Sequence, residues 1–330
     1  MFVEERTFEG VMKRIGASML IFVAAFNLLC GGIQMLQPLF VDVLFPNSAV
    51  VYAITEVLFA LAYCASFILP VFFFYLISKK QVTEPMPLAL TLPKKQPILK
   101  ILSILFIGIS VVLTMSYLNS FIVPAFDSGN GSLFETDLER PYKTVLLFLT
   151  SAVAPAFAEE FMFRGMIYAN LRPYGRGVAI LISALLFGLM HQNAGQLLYT
   201  TAAGIVLAVV YELTGSFWCC VLLHFFNNFY AILEQIWFQQ FSVEKASLLC
   251  SIVQIGIFFV GLIFAALWGL QMNKKSVASA RERPFFGETE ETRAQTSFIS
   301  GRVILRGFFN PVMIAFLVLA VFQMIAIYFM

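Results

Sequence analysis

Three ionisable side chains, Glu159, Glu160 and Arg164, stand in the stretch Ala-Pro-Ala-Phe-Ala-Glu-Glu-Phe-Met-Phe-Arg (154–164), whose remaining residues call for lipid or protein interior. A charge near the bilayer centre costs about 2.5–3.5 kcal/mol on insertion scales, so three together need a reason. Glu160 and Arg164 are spaced i, i+4 with the acid first, which lets them meet on one helical face and offset each other. Glu159 points about 100° away from Glu160 and has no charged partner within a turn. An unpaired carboxylate in such surroundings is a candidate general base.

What faces Glu159 is the next question, and the histidines answer it. The chain has two among 330 residues, His191 and His224, both in apolar segments of the same quarter of the sequence. A lone histidine on an apolar face is usually a packing residue; two beside intramembrane carboxylates indicate a polar site. His224 and Asn228 are i and i+4 and leave one helix face together, with Asn227 beside them. Phe187 and His191 share the same spacing. Helical rise then places Glu159, His191 and His224 around one wet cavity in the cytoplasmic half to the middle of the membrane.

A water held between a carboxylate and an imidazole is apparatus for hydrolysis. Glu159 would take its proton and His191 would orient or share it, while His224 and Asn228 could donate to the oxyanion of an attacked carbonyl. Alternatively Glu159, His191 and His224 could bind zinc as a His₂Glu set with an open position for water. The H-E-x-x-H spacing that would put two zinc ligands on one helix is missing. Zinc is the one cofactor the residues suggest.

These residues need long apolar elements to position them. The chain is 60% hydrophobic and 12% charged, about half the charge of a soluble domain, so it reads as an integral membrane protein. Nine candidate helices cover about 15–40, 50–78, 99–125, 144–171, 178–192, 196–213, 217–240, 246–271 and 308–330. The fifth and sixth are short and separated by only four residues, so one of them is expected to be tilted or re-entrant, leaving eight full spans. The fold class is therefore all-α, a polytopic bundle of about eight or nine transmembrane helices.

Lys and Arg cluster in alternate loops (1–14, 79–100, 172–176 and 273–306), which places the N-terminus in the cytoplasm. The loop at 273–306 reads as mobile, and the acidic segment from Asp127 to Arg140 reads as external. A formal net charge of +2 gives no argument for a nucleic-acid partner. The five cysteines all fall in apolar segments and read as packing residues. The start of the chain does not resemble a cleaved signal peptide, and a bacterial plasma membrane is the expected location.

Glu-Glu-x-x-x-Arg (159–164), Phe-x-x-x-His (187–191) and His-x-x-x-Asn (224–228), in this order on hydrophobic helices, resemble the CPBP or Abi family of CAAX-processing and bacteriocin-processing intramembrane proteases. Ala154-Pro155, Phe163-Arg164-Gly165 and Tyr211-Glu-Leu-Thr-Gly-Ser216 support the likeness. It implies a core at 143–231 between N-terminal helices (1–142) and C-terminal helices (232–330). It implies Glu159 and His191 as water-activating residues, His224 and Asn228 as carbonyl stabilisers, and Glu160 and Arg164 as support. The activity so implied is an intramembrane endopeptidase, metal-free or zinc-dependent, working in the lipid bilayer. Its substrate would be a CAAX-like tail, a leader peptide or a membrane protein. Two other classes compete: a non-catalytic scaffold or bacteriocin self-immunity protein, and a proton-coupled transporter, since intramembrane Glu and His also build proton relays.

Overall fold

Inside a bilayer the backbone has no hydrogen-bonding partner but itself, so apolar segments of this length close their own ladders as helices. The computed structural model describes residues 3–46, 48–78, 90, 96–122, 140–274 and 300–329, and among these there is no strand. The helices are α1 (Phe8–Leu44), α2 (Ala49–Ser78), α3 (Ile98–Ile122), α4 (Pro141–Tyr174), α5 (Arg176–Met190), α6 (Ala194–Thr214), α7 (Phe217–Gln240), α8 (Val243–Lys274), α9 (Gly301–Phe308) and α10 (Pro311–Phe329). Seven of them, α1 to α4 and α6 to α8, are long and apolar enough to cross a membrane. The protein is thus an integral, multi-pass membrane protein.

The two remaining candidate spans behave differently from an ordinary crossing. Helix α5 has 15 residues, about 22 Å at 1.5 Å per residue, too short for a hydrocarbon core of about 30 Å. It is the short member of the pair flagged by the sequence. The last segment, expected as one helix over 308–330, is helical from Pro311 to Phe329, and a further short helix, α9, precedes it at an angle. Helices α9 and α10 meet at 64°, and the break lies at Asn310-Pro311. There Asn310 Oδ1 accepts from the backbone N–H groups of Val312 and Met313, while its Nδ2 donates to the Gly307 carbonyl. One asparagine thus caps both helices, and the proline opens the second, where its missing N–H is harmless. Of the loop expected at 273–306, residues 301–306 are helical; 275–299 lie outside the described residues, as do 123–139 of the segment expected to be external.

Two tight turns set the register of the polar residues. At the end of α5, Gln192 takes a left-handed φ of 53° and Asn193 caps α6 by accepting from the Gly195 N–H at 2.9 Å. His191 is thereby placed at the last turn of α5. At the end of α6, Gly215 supplies φ +64°, which costs glycine little, and Ser216 caps α7 through the Cys219 N–H. A two-residue connection therefore folds α7 back directly from α6.

Helices α5 and α6 approach closely because small residues face each other. A Cβ at Gly204 would lie 2.9 Å from the Ala184 Cα and 3.2 Å from its Cβ. Small residues permit the backbone contact that drives helix association in lipid. Gly204→Val should therefore lower stability by about 1–3 kcal/mol, the usual cost of overpacking, read as a lower unfolding midpoint in detergent. Gly256→Ala, where a Cβ meets nothing within 4 Å, should leave that midpoint unlowered or slightly raised.

Candidate active site

Helix α4 carries the acids, and its irregularities are written in its sequence. Pro155 has no N–H, so the Ser151 carbonyl, four residues earlier, loses its helical donor. The turns around it are widened to π geometry at Leu149–Val153 and again at Phe161–Tyr168, directly after the two glutamates. Such segments are rare and recur at functional sites. The orphaned carbonyl is satisfied from α7: Asn228 Nδ2 donates to Ser151 O at 3.1 Å. Asn228 Oδ1 in turn accepts from Asn227 Nδ2 at 3.1 Å, and Asn227 Oδ1 accepts from the Tyr199 hydroxyl of α6 at 2.7 Å. A chain of amides therefore fastens α6 and α7 to the widened turn of α4.

One turn deeper the charges are gathered. Glu160 and Arg164 are both fully buried, and Arg164 Nη1 donates to Glu160 Oε1 at 2.9 Å. The other arm of the guanidinium, Nη2, donates to the Gly204 carbonyl of α6 at 2.9 Å. The same Glu160 oxygen accepts from His224 Nδ1, also at 2.9 Å. A carboxylate only accepts, so Nδ1 carries the proton and the ring turns Nε2 away from Glu160. That nitrogen lies 3.9 Å from Glu159 Oε2. Glu159 is 3% exposed and His224 4%, so this is an interior encounter and not a surface one.

His191 joins from α5. Its Nδ1 is 2.8 Å from the Phe187 carbonyl, which can only accept, so in the neutral ring Nε2 presents a lone pair. The Phe187 ring packs edge-on against both imidazoles, at 5.2 Å from His191 and 5.8 Å from His224. The Arg164 guanidinium lies over the same ring at 4.9 Å. His191 and Asn228 are half-buried, whereas Glu159 and His224 are buried. Glu159 Oε2, Glu160 Oε2 and Arg164 Nε are buried without a hydrogen-bond partner.

The structure adds contacts that the residue-by-residue expectation did not contain. His224, expected as a carbonyl stabiliser, also faces Glu159 at 3.9 Å, and Glu160 orients it. Asn228, expected to donate to substrate, spends one N–H on Ser151. Among the described residues no three His, Cys, Asp or Glu side chains are grouped as ligands of one ion. Glu159, His191 and His224, expected as a zinc set, do not form such a group here.

Tyr63, Tyr199 and Gly204 were not singled out in the sequence. The Tyr63 hydroxyl of α2 donates to Glu159 Oε1 at 2.6 Å. Its one available signal was a phenol midway along a span, where an unpaired hydroxyl is costly. Glu212 accepts from Tyr168 and Arg172 and pairs with Arg176 at 3.3 Å. It braces the ends of α4 and α6 against the start of α5.

Removing one partner of a buried charge cluster leaves the other uncompensated. Arg164→Met should cost about 3–5 kcal/mol, while Arg164→Met with Glu160→Gln should recover part of that loss. A double-mutant cycle of denaturant unfolding in detergent reads both; additive losses would show that the pair is not coupled.

Residues 141–230 match the family described as "Type II CAAX prenyl endopeptidase Rce1-like". The chain is also 29% identical over 92 residues to a Bacillus subtilis (strain 168) protein named "Putative membrane peptidase YdiL", a match over 28% of this chain and 38% of that relative's length. No solved structure matches. The match spans well under half of the relative; the family segment, 141–230, contains Glu159, Glu160, Arg164, His191, His224 and Asn228. The first description is of an endopeptidase and the second of a membrane peptidase.

Proposed function

We propose that this protein is an intramembrane endopeptidase that hydrolyses a peptide bond with a water activated by Glu159. The observation that carries this reading is the 3.9 Å separation of Glu159 Oε2 from His224 Nε2 in a buried, charge-balanced cluster. A water bonded to both atoms would sit off their axis at an ordinary distance of about 2.8 Å from each. Two carboxylates and one guanidinium sum to a single negative charge, and a proton on His224 brings the four side chains to neutrality, the state an interior tolerates best.

In that state the roles divide. Glu159 Oε2 takes a proton as the water oxygen attacks the carbonyl carbon. The His224 Nε2–H, released from the water as it adds to the carbonyl, and the second N–H of the Asn228 amide stabilise the oxyanion. His191 Nε2 accepts from the water and orients it. Glu159 then returns the proton to the amide nitrogen, the C–N bond breaks, and a carboxyl group and an amine leave. Glu160 and Arg164 hold His224 in place and do not touch the reacting atoms.

The substrate is a peptide reached within the bilayer: a CAAX-like tail, a leader peptide or a membrane protein. The family description favours the first. The basic ends around Arg172, Arg176 and Lys100 face the cytoplasm by the positive-inside rule, which puts the N-terminus there as well.

The test uses protein reconstituted in liposomes and a quenched peptide ending in a CAAX tail, with and without a prenyl group. Wild type should cleave it, and Glu159→Gln should lower the rate at least about 100-fold, the lower range for loss of a general base, with an unchanged unfolding midpoint. Retained turnover in Glu159→Gln would reject Glu159 as the base.

A further inference from the structure

Tyr63 lies on α2, outside the segment that matches the peptidase family, yet its hydroxyl is 2.6 Å from Glu159 Oε1. The bond joins residues 96 positions apart. The ring is fixed from several sides: Phe67 at 5.0 Å, Phe26 of α1 at 5.9 Å and Phe59 at 6.4 Å. A phenol held this way cannot follow the carboxylate; the carboxylate must come to the phenol.

That constraint has a chemical use. The terminal torsion of a glutamate is broad and nearly two-fold, so a carboxylate in an open cavity presents either oxygen. A short hydrogen bond to an ionised oxygen is among the stronger interactions available to it. By taking Oε1, Tyr63 leaves Oε2 as the oxygen that faces His224 Nε2. It also holds the carboxylate back at 3.9 Å. Without that tether, Glu159 could close on the imidazole as a direct ion pair, and the two groups that must share a water would consume each other.

We propose that Tyr63 is a positioning residue that orients Glu159 and keeps it from collapsing onto His224. The proposal rests on the reading of Glu159 as the base. It adds a helix to the site: α2 is required for geometry that the family segment alone does not hold.

The experiment separates the two claims. The Glu159 carboxylate stretch is assigned by infrared difference spectroscopy as the band lost in Glu159→Gln, a measurement independent of turnover. In Tyr63→Phe that band should shift, while helical content and the unfolding midpoint stay at wild-type values. With the quenched CAAX peptide, kcat should fall roughly tenfold, as expected for a mispositioned group, and KM should stay unchanged. A band that does not move overturns the proposal, as does a Tyr63→Phe enzyme with wild-type kcat. If the band moves but neither wild type nor variant cleaves, the Tyr63–Glu159 bond stands and the hydrolase reading falls.

Discussion

One carboxylate oxygen, Glu160 Oε1, accepts from both Arg164 Nη1 and His224 Nδ1 at 2.9 Å, and the polar interior of the bundle is arranged around it. An ionised group without water must find its hydration shell in the protein, and the low dielectric that makes this costly also makes each well-placed partner strong. Here the shell is assembled from three helices. Helix α4 supplies the acid and the guanidinium, α7 supplies the imidazole, and α6 offers the Gly204 carbonyl to the guanidinium's second arm. The neutral acceptor matters: had α6 offered a carboxylate, Arg164 would be shared between acids and less of its charge would serve Glu160. The close approach permitted by Gly204 is therefore an electrostatic device as much as a packing one.

Around that centre, secondary features that look like imperfections have assigned partners. Pro155 breaks the helical ladder, and Asn228 repairs it from another helix. The widened turns after Glu160 fall where the side chains are most crowded, with Phe163 and Phe187 edge-on at 5.1 Å. Phe187 then serves as a common wall for both imidazoles and the guanidinium. An aromatic ring is suited to this because its edge and face carry opposite partial charges.

The sequence showed what was local and concealed what was distant. The Glu160–Arg164 pair was legible because i, i+4 spacing on a helix is a contact in itself, and the all-α membrane architecture followed from apolar length. The family resemblance read from three short motifs agrees with the family match over 141–230. What could not be read was which ring nitrogen faces which oxygen, since that depends on Glu160 orienting His224 across 64 positions. Tyr63 was invisible for the same reason: in an apolar helix a tyrosine reads as packing until its hydroxyl is seen against an acid. The expected division of the chain at 142 runs between Tyr63 and Glu159, which the fold brings together. Two signals were available and passed over. Asn310-Pro311 is a standard break, and Pro155 alone declares an orphan carbonyl four residues upstream.

The connection between α6 and α7 has a mechanical consequence. Gly215 and Ser216 are all that separates the two helices, and the amide chain from Tyr199 to Asn228 clasps them further along. Bilayers of different thickness are matched by tilting helices, and a hairpin clasped at two heights leans as one lever. The Gly204 carbonyl and the His224 ring ride on its two arms, so thinning or thickening of the surrounding lipid moves both together, and the spacing between them is insulated from the membrane in which the protein sits.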